Sequence, residues 1–195
     1  MRERLLSYLV EQGDMTESQK EIVGYGVSIL FHNVITILVL LIGGLLVGKM
    51  SQTVLFIVCI ISLRRNSGGY HAKTRLGCLF MSIAMWGMVV IADAMFSKSI
   101  ATVEIATALF CVMDVMVWYY APVEHYNKPL TMEIRKKNKW RACLLMVFFE
   151  IIDLLCMAKL PRISNVIMIC LLEVVILMLW GERRRRHYEV KRIID

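Results

Sequence analysis

The sequence lacks the residue patterns that most soluble enzymes use to hold a metal ion or a phosphate group. Neither His-Glu-x-x-His nor paired Cys-x-x-Cys spacing occurs in the 195 residues, which argues against a zinc protease. A phosphate-binding glycine loop is also missing, because Gly43, Gly44 and Gly48 fall at the end of an apolar helix. No nucleic-acid motif accompanies the basic run at residues 183–186. We therefore expect no metal, no organic cofactor and no nucleic-acid partner.

Two signs of a secreted protein are missing as well. The apolar stretch from Leu5 to Val10 is too short for a signal peptide, and no small-residue cleavage site follows it. We expect residues 1–21 to form an amphipathic helix on the cytoplasmic membrane surface instead. None of the six cysteines falls in a loop predicted to face outward, so we expect no disulfide framework.

Apolar residues dominate what is present. They make up 58% of the chain and arrive in long blocks, which a soluble protein of this size could not bury. A helix needs about 20 residues to cross a bilayer, and five of the blocks are that long. The sequence therefore predicts one all-α integral membrane domain over residues 1–195, with about six transmembrane helices at approximately 22–47, 50–63, 76–96, 100–121, 142–160 and 163–180.

The distribution of charge favours six crossings over five. With six, 19 of the 23 lysines and arginines fall in segments on one side of the membrane, at residues 1–21, 64–75, 122–141 and 181–195. Positive charge accumulates on the cytoplasmic side, so both termini are predicted to be cytoplasmic. If the short second block did not cross, this bias would disappear. The basic tail at residues 181–195 follows the last span directly and is typical of contact with lipid headgroups.

One cytoplasmic segment, residues 64–78, combines chemically active side chains. It reads Arg-Arg-Asn-Ser-Gly-Gly-Tyr-His-Ala-Lys-Thr-Arg-Leu-Gly-Cys. A nucleophilic thiol needs a base within hydrogen-bond reach and surroundings that favour the thiolate. His71 is a candidate base for Cys78, and Arg64, Arg65 and Arg75 supply positive potential. The alternative interpretation is that Cys78 only packs and that the basic residues only follow the membrane charge rule.

The spacing of His71 and Cys78 imposes a geometric condition. On a straight helix the two residues would lie about 10 Å apart along the axis, too far for proton transfer. We therefore predict that residues 69–78 are not one continuous helix. Gly77 is a candidate break point, and Gly68 and Gly69 permit a tight turn ahead of the histidine.

The same residues resemble the signature of the accessory gene regulator B (AgrB) family, membrane cysteine endopeptidases that mature bacterial quorum-sensing peptides. That signature contains an Arg, a Gly-Gly-x-His and a Cys seven residues after the His. It maps here onto Arg64 or Arg65, Gly68, Gly69, His71 and Cys78. Residues 121–130 are similar to the loop that follows the fourth span in this family, which extends the resemblance over most of the chain.

This resemblance implies a reaction, a partner and an assembly. Cys78, with His71 as its base, would cut the C-terminal part from an AgrD-like propeptide and hold the remainder as a thioester. A Cys or Ser of the peptide would then displace the enzyme and close a thiolactone or lactone ring. The resemblance further implies a bacterial cell membrane location, contact with membrane lipids and a homodimer.

Three acidic residues within the predicted spans form a second candidate site. Charged groups in a membrane are costly and commonly functional, and Asp114, Glu150 and Glu173 fall at similar depths. They predict a polar cavity below the His71–Cys78 segment, although pairing between helices would explain them equally well. Two other functions stay open: a small secondary transporter or peptide exporter, which buried acids would suit, and a scaffold without catalysis.

Overall fold

The computed structural model describes residues 17–70, 72, 74–96, 98–124 and 131–194, and the fold within these ranges is all-helical. We number its six helices in chain order: α1 Glu17–Leu46, α2 Met50–Ser67, α3 Arg75–Met95, α4 Val103–Tyr120, α5 Met132–Cys156 and α6 Pro161–Ile194. Residues 1–16 lie outside the described residues. The predicted amphipathic helix over 1–21 is therefore described only at residues 17–21, which form the first turns of α1.

Among the described residues, four helices are long and apolar enough to cross a membrane. Their candidate spans are Gly26–Leu46, Arg75–Met95, Val103–Tyr120 and Pro161–His187. The two other described helices carry polar residues at one end: α2 ends with Arg-Arg-Asn-Ser, and the charged residues at the start of α5 extend over about two and a half turns. The predicted all-α membrane architecture is confirmed, and the count of six crossings stays a prediction.

The helix ends follow local sequence signals that hydropathy does not report. Thr74, Thr102 and Thr131 are the N-caps of α3, α4 and α5, and each side chain accepts a hydrogen bond from a backbone N–H three residues later. Pro161 occupies the first position of α6, where its missing N–H costs nothing. The cap at Thr131 starts α5 ten residues before the predicted span at 142, because charged residues extend a helix as well as apolar ones do.

Helix α6 forms the centre of the bundle. It packs against α2, α3, α4 and α5, and 67% of its candidate span is buried, compared with 11% of the span in α1. Its buried side chains include three consecutive residues, Val166, Ile167 and Met168, which point in different directions, as is typical of a helix surrounded by others. By contrast, within the described residues α1 makes its main contacts with α2 and α3, and most of its surface is available to lipid.

Small residues set the register of α1 against its two neighbours. Gly43 faces the ring of Trp86 on α3, and Gly44 lies directly against Thr53 on α2. Trp86 Nε1 donates a hydrogen bond of 2.8 Å to Thr53 Oγ1, which joins α2 to α3 at the same level. Glycines let helix backbones approach closely in a membrane, so these contacts fix how far α1 slides along the bundle.

The end of the bundle opposite residues 64–78 is closed by ionic and amide contacts. Asp93 is buried at the end of α3 and pairs with Lys49, while Arg162 Nε lies 3.9 Å from its other oxygen. Asn165 on α6 accepts a hydrogen bond of 2.9 Å from the Ile100 N–H and donates one of 3.0 Å to the Lys98 carbonyl oxygen. These contacts tie the loop between α3 and α4 to α6.

Candidate active site

The chain between α2 and α3 forms a turn that brings Cys78 to the start of a helix. Helix α2 ends at Ser67 and α3 begins at Arg75, so the prediction of a discontinuous helix between residues 69 and 78 is confirmed. The proposed break at Gly77 is wrong. Gly77 lies inside the first turn of α3, where its N–H donates to Thr74 Oγ1 at 3.0 Å, because the threonine cap starts the helix before the glycine is reached.

Gly68 and Gly69 make the turn possible, as predicted. Their φ angles are +69° and +126°, a backbone region that residues with a side chain rarely adopt. Gly68 forms a bridge to Val123, whose N–H donates a hydrogen bond of 2.9 Å to the Ser67 carbonyl oxygen. A Cβ atom on Gly69 would lie 3.2 Å from the Leu177 carbonyl oxygen. The turn is therefore held between the loop after α4 and the body of α6.

Tyr70 fastens the turn to α6 through both its backbone and its ring. Its N–H donates a hydrogen bond of 2.9 Å to the Leu177 carbonyl oxygen. Its ring stacks on Trp180 with centroids 4.4 Å apart and planes 7° from parallel, and the Arg184 guanidinium lies 5.0 Å from the ring centroid. Gly181 leaves room for the turn, since a Cβ there would approach the Tyr70 nitrogen to 2.6 Å.

Arg64 links this turn to the thiol. Its Nη2 donates a hydrogen bond of 2.6 Å to the Tyr70 carbonyl oxygen, which closes the turn from the α2 side. Burial lowers the pKa of the Arg64 guanidinium, and the electrostatic attraction of Cys78 partly opposes that decrease. Arg64 and Cys78 are therefore close enough to interact. The side chains of Arg65 and Arg75 are exposed.

Cys78 lies in the first turn of α3 and is partly exposed. Its N–H donates a hydrogen bond of 3.1 Å to the Thr74 carbonyl oxygen, which orders the backbone that carries the thiol. The positive end of a helix dipole favours an anion such as a thiolate. Cys59 and Cys170, in contrast, are buried between α2 and α6.

His71 lies outside the described residues, as does the segment 125–130. The contact between His71 and Cys78 therefore stays a prediction. The described residues on either side of it are Tyr70, which α6 holds, and Ala72, which lies against the first turn of α3. Sequence reasoning missed Tyr70, Trp180, Gly181 and Thr74 as parts of this site. A threonine three residues before a glycine at a helix start, and a Trp-Gly pair just ahead of a basic run, were the available signals.

The three predicted cavity residues divide into a pair and a single residue. The carboxyl groups of Asp114 on α4 and Glu150 on α5 are close enough to interact electrostatically. Glu173 on α6 is buried, and neither of its carboxyl oxygens has a hydrogen-bond partner among the described residues. Asp153, one turn from Glu150, is also fully buried. A cavity shared by all three predicted residues stays a prediction.

Comparison with known proteins identifies relatives of this chain. The family model described as accessory gene regulator B matches residues 2–179. FsrB of Enterococcus faecalis is 30% identical over 128 residues, which is 63% of this chain and 52% of FsrB, so the match spans about half of that relative. A putative AgrB-like protein 2 of Clostridium perfringens is 28% identical over 70% of this chain and 68% of its own length. A putative AgrB-like protein of Clostridium acetobutylicum is 26% identical over 87% of this chain and 82% of its own length. No solved structure matches the chain.

Proposed function

The chain belongs to the accessory gene regulator B family, and from that premise we propose that it is a membrane-embedded cysteine endopeptidase with Cys78 as its nucleophile. Family membership associates the protein with the processing of quorum-sensing peptides. The observation that carries the proposal is the position of Cys78: partly exposed, in the capped first turn of α3, beside a turn fixed by two glycines and Arg64.

In the proposed reaction, His71 takes the proton from the Cys78 thiol, and the sulfur attacks the scissile carbonyl of an AgrD-like propeptide. The tetrahedral oxyanion collapses, the carbon–nitrogen bond breaks, and His71 returns the proton to the leaving amine. The N-terminal part of the peptide stays on Cys78 as a thioester. A thiol or hydroxyl of that peptide then attacks the thioester carbonyl, which closes the ring and restores the Cys78 thiol.

The start of α3 offers donors for the oxyanion. The first N–H groups of a helix have no partner within the helix, and those of Gly77 and Cys78 are already bonded to Thr74. The N–H groups of Arg75 and Leu76 are therefore the backbone donors that we assign to the oxyanion. Arg64 already donates a hydrogen bond to the Tyr70 carbonyl oxygen, so we assign it only a longer-range electrostatic effect on the oxyanion. The side chain of Arg75 is exposed and can reach the peptide.

The basic ends of the helices suit an acidic peptide tail and anionic lipid. Helix α6 continues as a helix beyond Trp180 through the run Arg183–Arg186, and α5 begins with Arg135, Lys136 and Lys137 on its exposed surface. We propose that these ends and both termini face the cytoplasm, that the protein lies in the bacterial cell membrane, and that it acts as a homodimer.

A transporter or peptide exporter is the second candidate. It is favoured by the buried carboxyl group of Glu173, neither of whose oxygens has a hydrogen-bond partner among the described residues. Such groups commonly mark ion or proton pathways. A transporter would not require the thiol, which provides the basis for separating the two functions.

The test is processing of a precursor peptide in cells that express Cys78→Ser, His71→Ala or the control Cys111→Ser. Cys111 is an exposed cysteine on α4, so its replacement leaves the site unchanged. We expect cleavage to fall below detection in the first two variants and to be unchanged in the control, with equal membrane levels of all proteins. Continued cleavage by Cys78→Ser would contradict the proposal.

A further inference from the structure

Two polar side chains on α1 are buried without a hydrogen-bond partner. Ser28 is 4% exposed, and its Oγ makes no hydrogen bond with any residue that the structure describes. His32, one turn further along, is partly buried, and its Nε2 also makes no hydrogen bond with any described residue. An unpaired buried polar group destabilises a fold, so such a group needs a reason to be kept.

Both side chains lie on the face of α1 that packs against the bundle. Residues four apart share a helix face, and Ser28, His32 and the buried Leu40 belong to one stripe. The neighbouring Asn33, about 100° further around the helix, has an exposed side chain. Gly43, which contacts Trp86 of α3, comes eleven residues after His32, so His32 lies on the face of α1 toward α3, and Ser28 lies one turn before it.

The register of the three helices brings these groups to the level of the thiol. Gly43 contacts Trp86, and α1 and α3 run in the same direction, because each forms an antiparallel pair with α2. His32 lies eleven residues before Gly43, and Cys78 lies eight residues before Trp86. At 1.5 Å per residue, His32 is therefore within about 5 Å of the level of Cys78 along the bundle axis.

A second contact, between α1 and α2, places this part of α1 at the same height along the bundle axis. Gly44 lies against Thr53, and α2 runs antiparallel to α1. Arg64 is eleven residues beyond Thr53, which matches the level of Asn33, directly next to His32. Arg64, Cys78 and His32 thus lie at about the same height, at the end of the bundle that carries Cys78.

We propose that Ser28 and His32 form a peptide-binding subsite, in which their unpartnered atoms hydrogen bond to the main chain of a peptide held beside Cys78. A hydroxyl can donate and accept, and a neutral imidazole has one donor and one acceptor, so the pair matches the alternating N–H and C=O groups of an extended peptide. The inference extends the proposed function, because it assigns substrate binding to α1, and it makes Ser28 and His32 positioning residues.

The test uses the purified full-length protein in lipid nanodiscs and an N-acetylated apolar tetrapeptide chloromethyl ketone as the probe. The Cys78 sulfur displaces chloride from this probe and forms a thioether, which mass spectrometry locates without any need for peptide cleavage. Saturation of the rate gives the inhibition constant of the probe. Iodoacetamide, which has no peptide part, measures the reactivity of the same thiol alone.

We expect His32→Leu to raise the inhibition constant of the probe about tenfold, because one hydrogen bond to the peptide is lost. Ser28→Ala should raise this constant by a smaller factor. The iodoacetamide rate should not change, and the melting temperature of His32→Leu should stay the same or rise, because an unpaired buried group is removed. Asn33→Ala, on the exposed face, should behave as the parent protein does.

Equal probe binding in His32→Leu, Ser28→Ala and the parent would overturn the subsite, as would a parent rate that never saturates. A lower melting temperature together with slower iodoacetamide labelling would assign a purely structural role to His32 and also overturn it. The proposed function fails on a different readout, namely continued cleavage by Cys78→Ser, so a probe effect in the parent together with cleavage by Cys78→Ser would retain the subsite and reject Cys78 as the nucleophile.

Discussion

The two ends of the helix bundle are closed by different kinds of contact. At the end that carries Cys78, the turn from Gly68 to Tyr70 is held by backbone hydrogen bonds and by close approach at Gly181. At the opposite end, Lys49 and Arg162 neutralise the buried carboxylate of Asp93. Backbone contacts define a shape to within a fraction of an ångström, while long charged side chains adjust. We infer that the Cys78 end is fixed in geometry and that the contacts at the opposite end contribute stability.

The largest effect on activity should come from Gly181→Ala. The new Cβ would approach the Tyr70 nitrogen to 2.6 Å and the Gly69 carbonyl carbon to 2.7 Å, and both are backbone atoms that cannot yield without moving the turn. We expect peptide processing to fall by at least about 100-fold, because a shift of about 1 Å at a catalytic group has that effect.

The matched control is Gly87→Ala, on α3, where an added Cβ would meet no atom within 4 Å. It should process peptide normally and, as a helical Gly→Ala change, be at least as stable as the parent. Processing and membrane levels of both variants are measured in the same cells. Normal processing by Gly181→Ala would show that the turn does not depend on this contact.

A smaller effect is expected from Trp180→Leu, which removes the aromatic partner of Tyr70. The stacking contributes about 0.5–1.5 kcal/mol, which corresponds to a decrease in processing of up to about tenfold if the turn must be in place for catalysis. Tyr70→Phe keeps the ring and should retain most activity. If Tyr70→Phe loses activity while Trp180→Leu keeps it, the hydroxyl of Tyr70 and not its ring would be the important group.

The smallest effect on activity should come from Asp93→Asn at the opposite end. This change leaves Lys49 without its buried counter-ion, so the melting temperature in detergent should fall by several degrees. Processing per folded molecule should stay within about twofold, since the Lys49–Asp93 contact lies a full helix length from Cys78. Loss of processing in a fully folded Asp93→Asn protein would refute the division between the two ends.

Composition and charge were sufficient to predict the helical membrane fold. A bilayer requires apolar segments of about 20 residues, and positively charged loops accumulate on one side of it. The predicted membrane spans do not give the helix ends. The fifth predicted span begins at 142, whereas the Thr131 cap starts α5 at Met132, and the last predicted span ends at Trp180, whereas α6 continues to Ile194. Charged residues are good helix formers, so a change in polarity does not end a helix.

The site was predicted in part. Gly68 and Gly69 were identified because the chemistry required a turn and only glycine tolerates it. Gly77 was predicted as a break, but Thr74, three residues earlier, caps α3, so the helix begins before Gly77. The contacts of Tyr70 with Leu177 and Trp180 join residues more than 100 positions apart, and no local pattern reports such a pairing.

The central claim, that Cys78 forms a thioester with the peptide, is tested most directly by intact-protein mass spectrometry after rapid acid quenching with a precursor peptide. We expect an added mass equal to the N-terminal peptide fragment, carried on the segment that contains Cys78, released by hydroxylamine and absent from Cys78→Ala. Cleavage of the precursor by Cys78→Ala, or an adduct on another cysteine, would contradict the account.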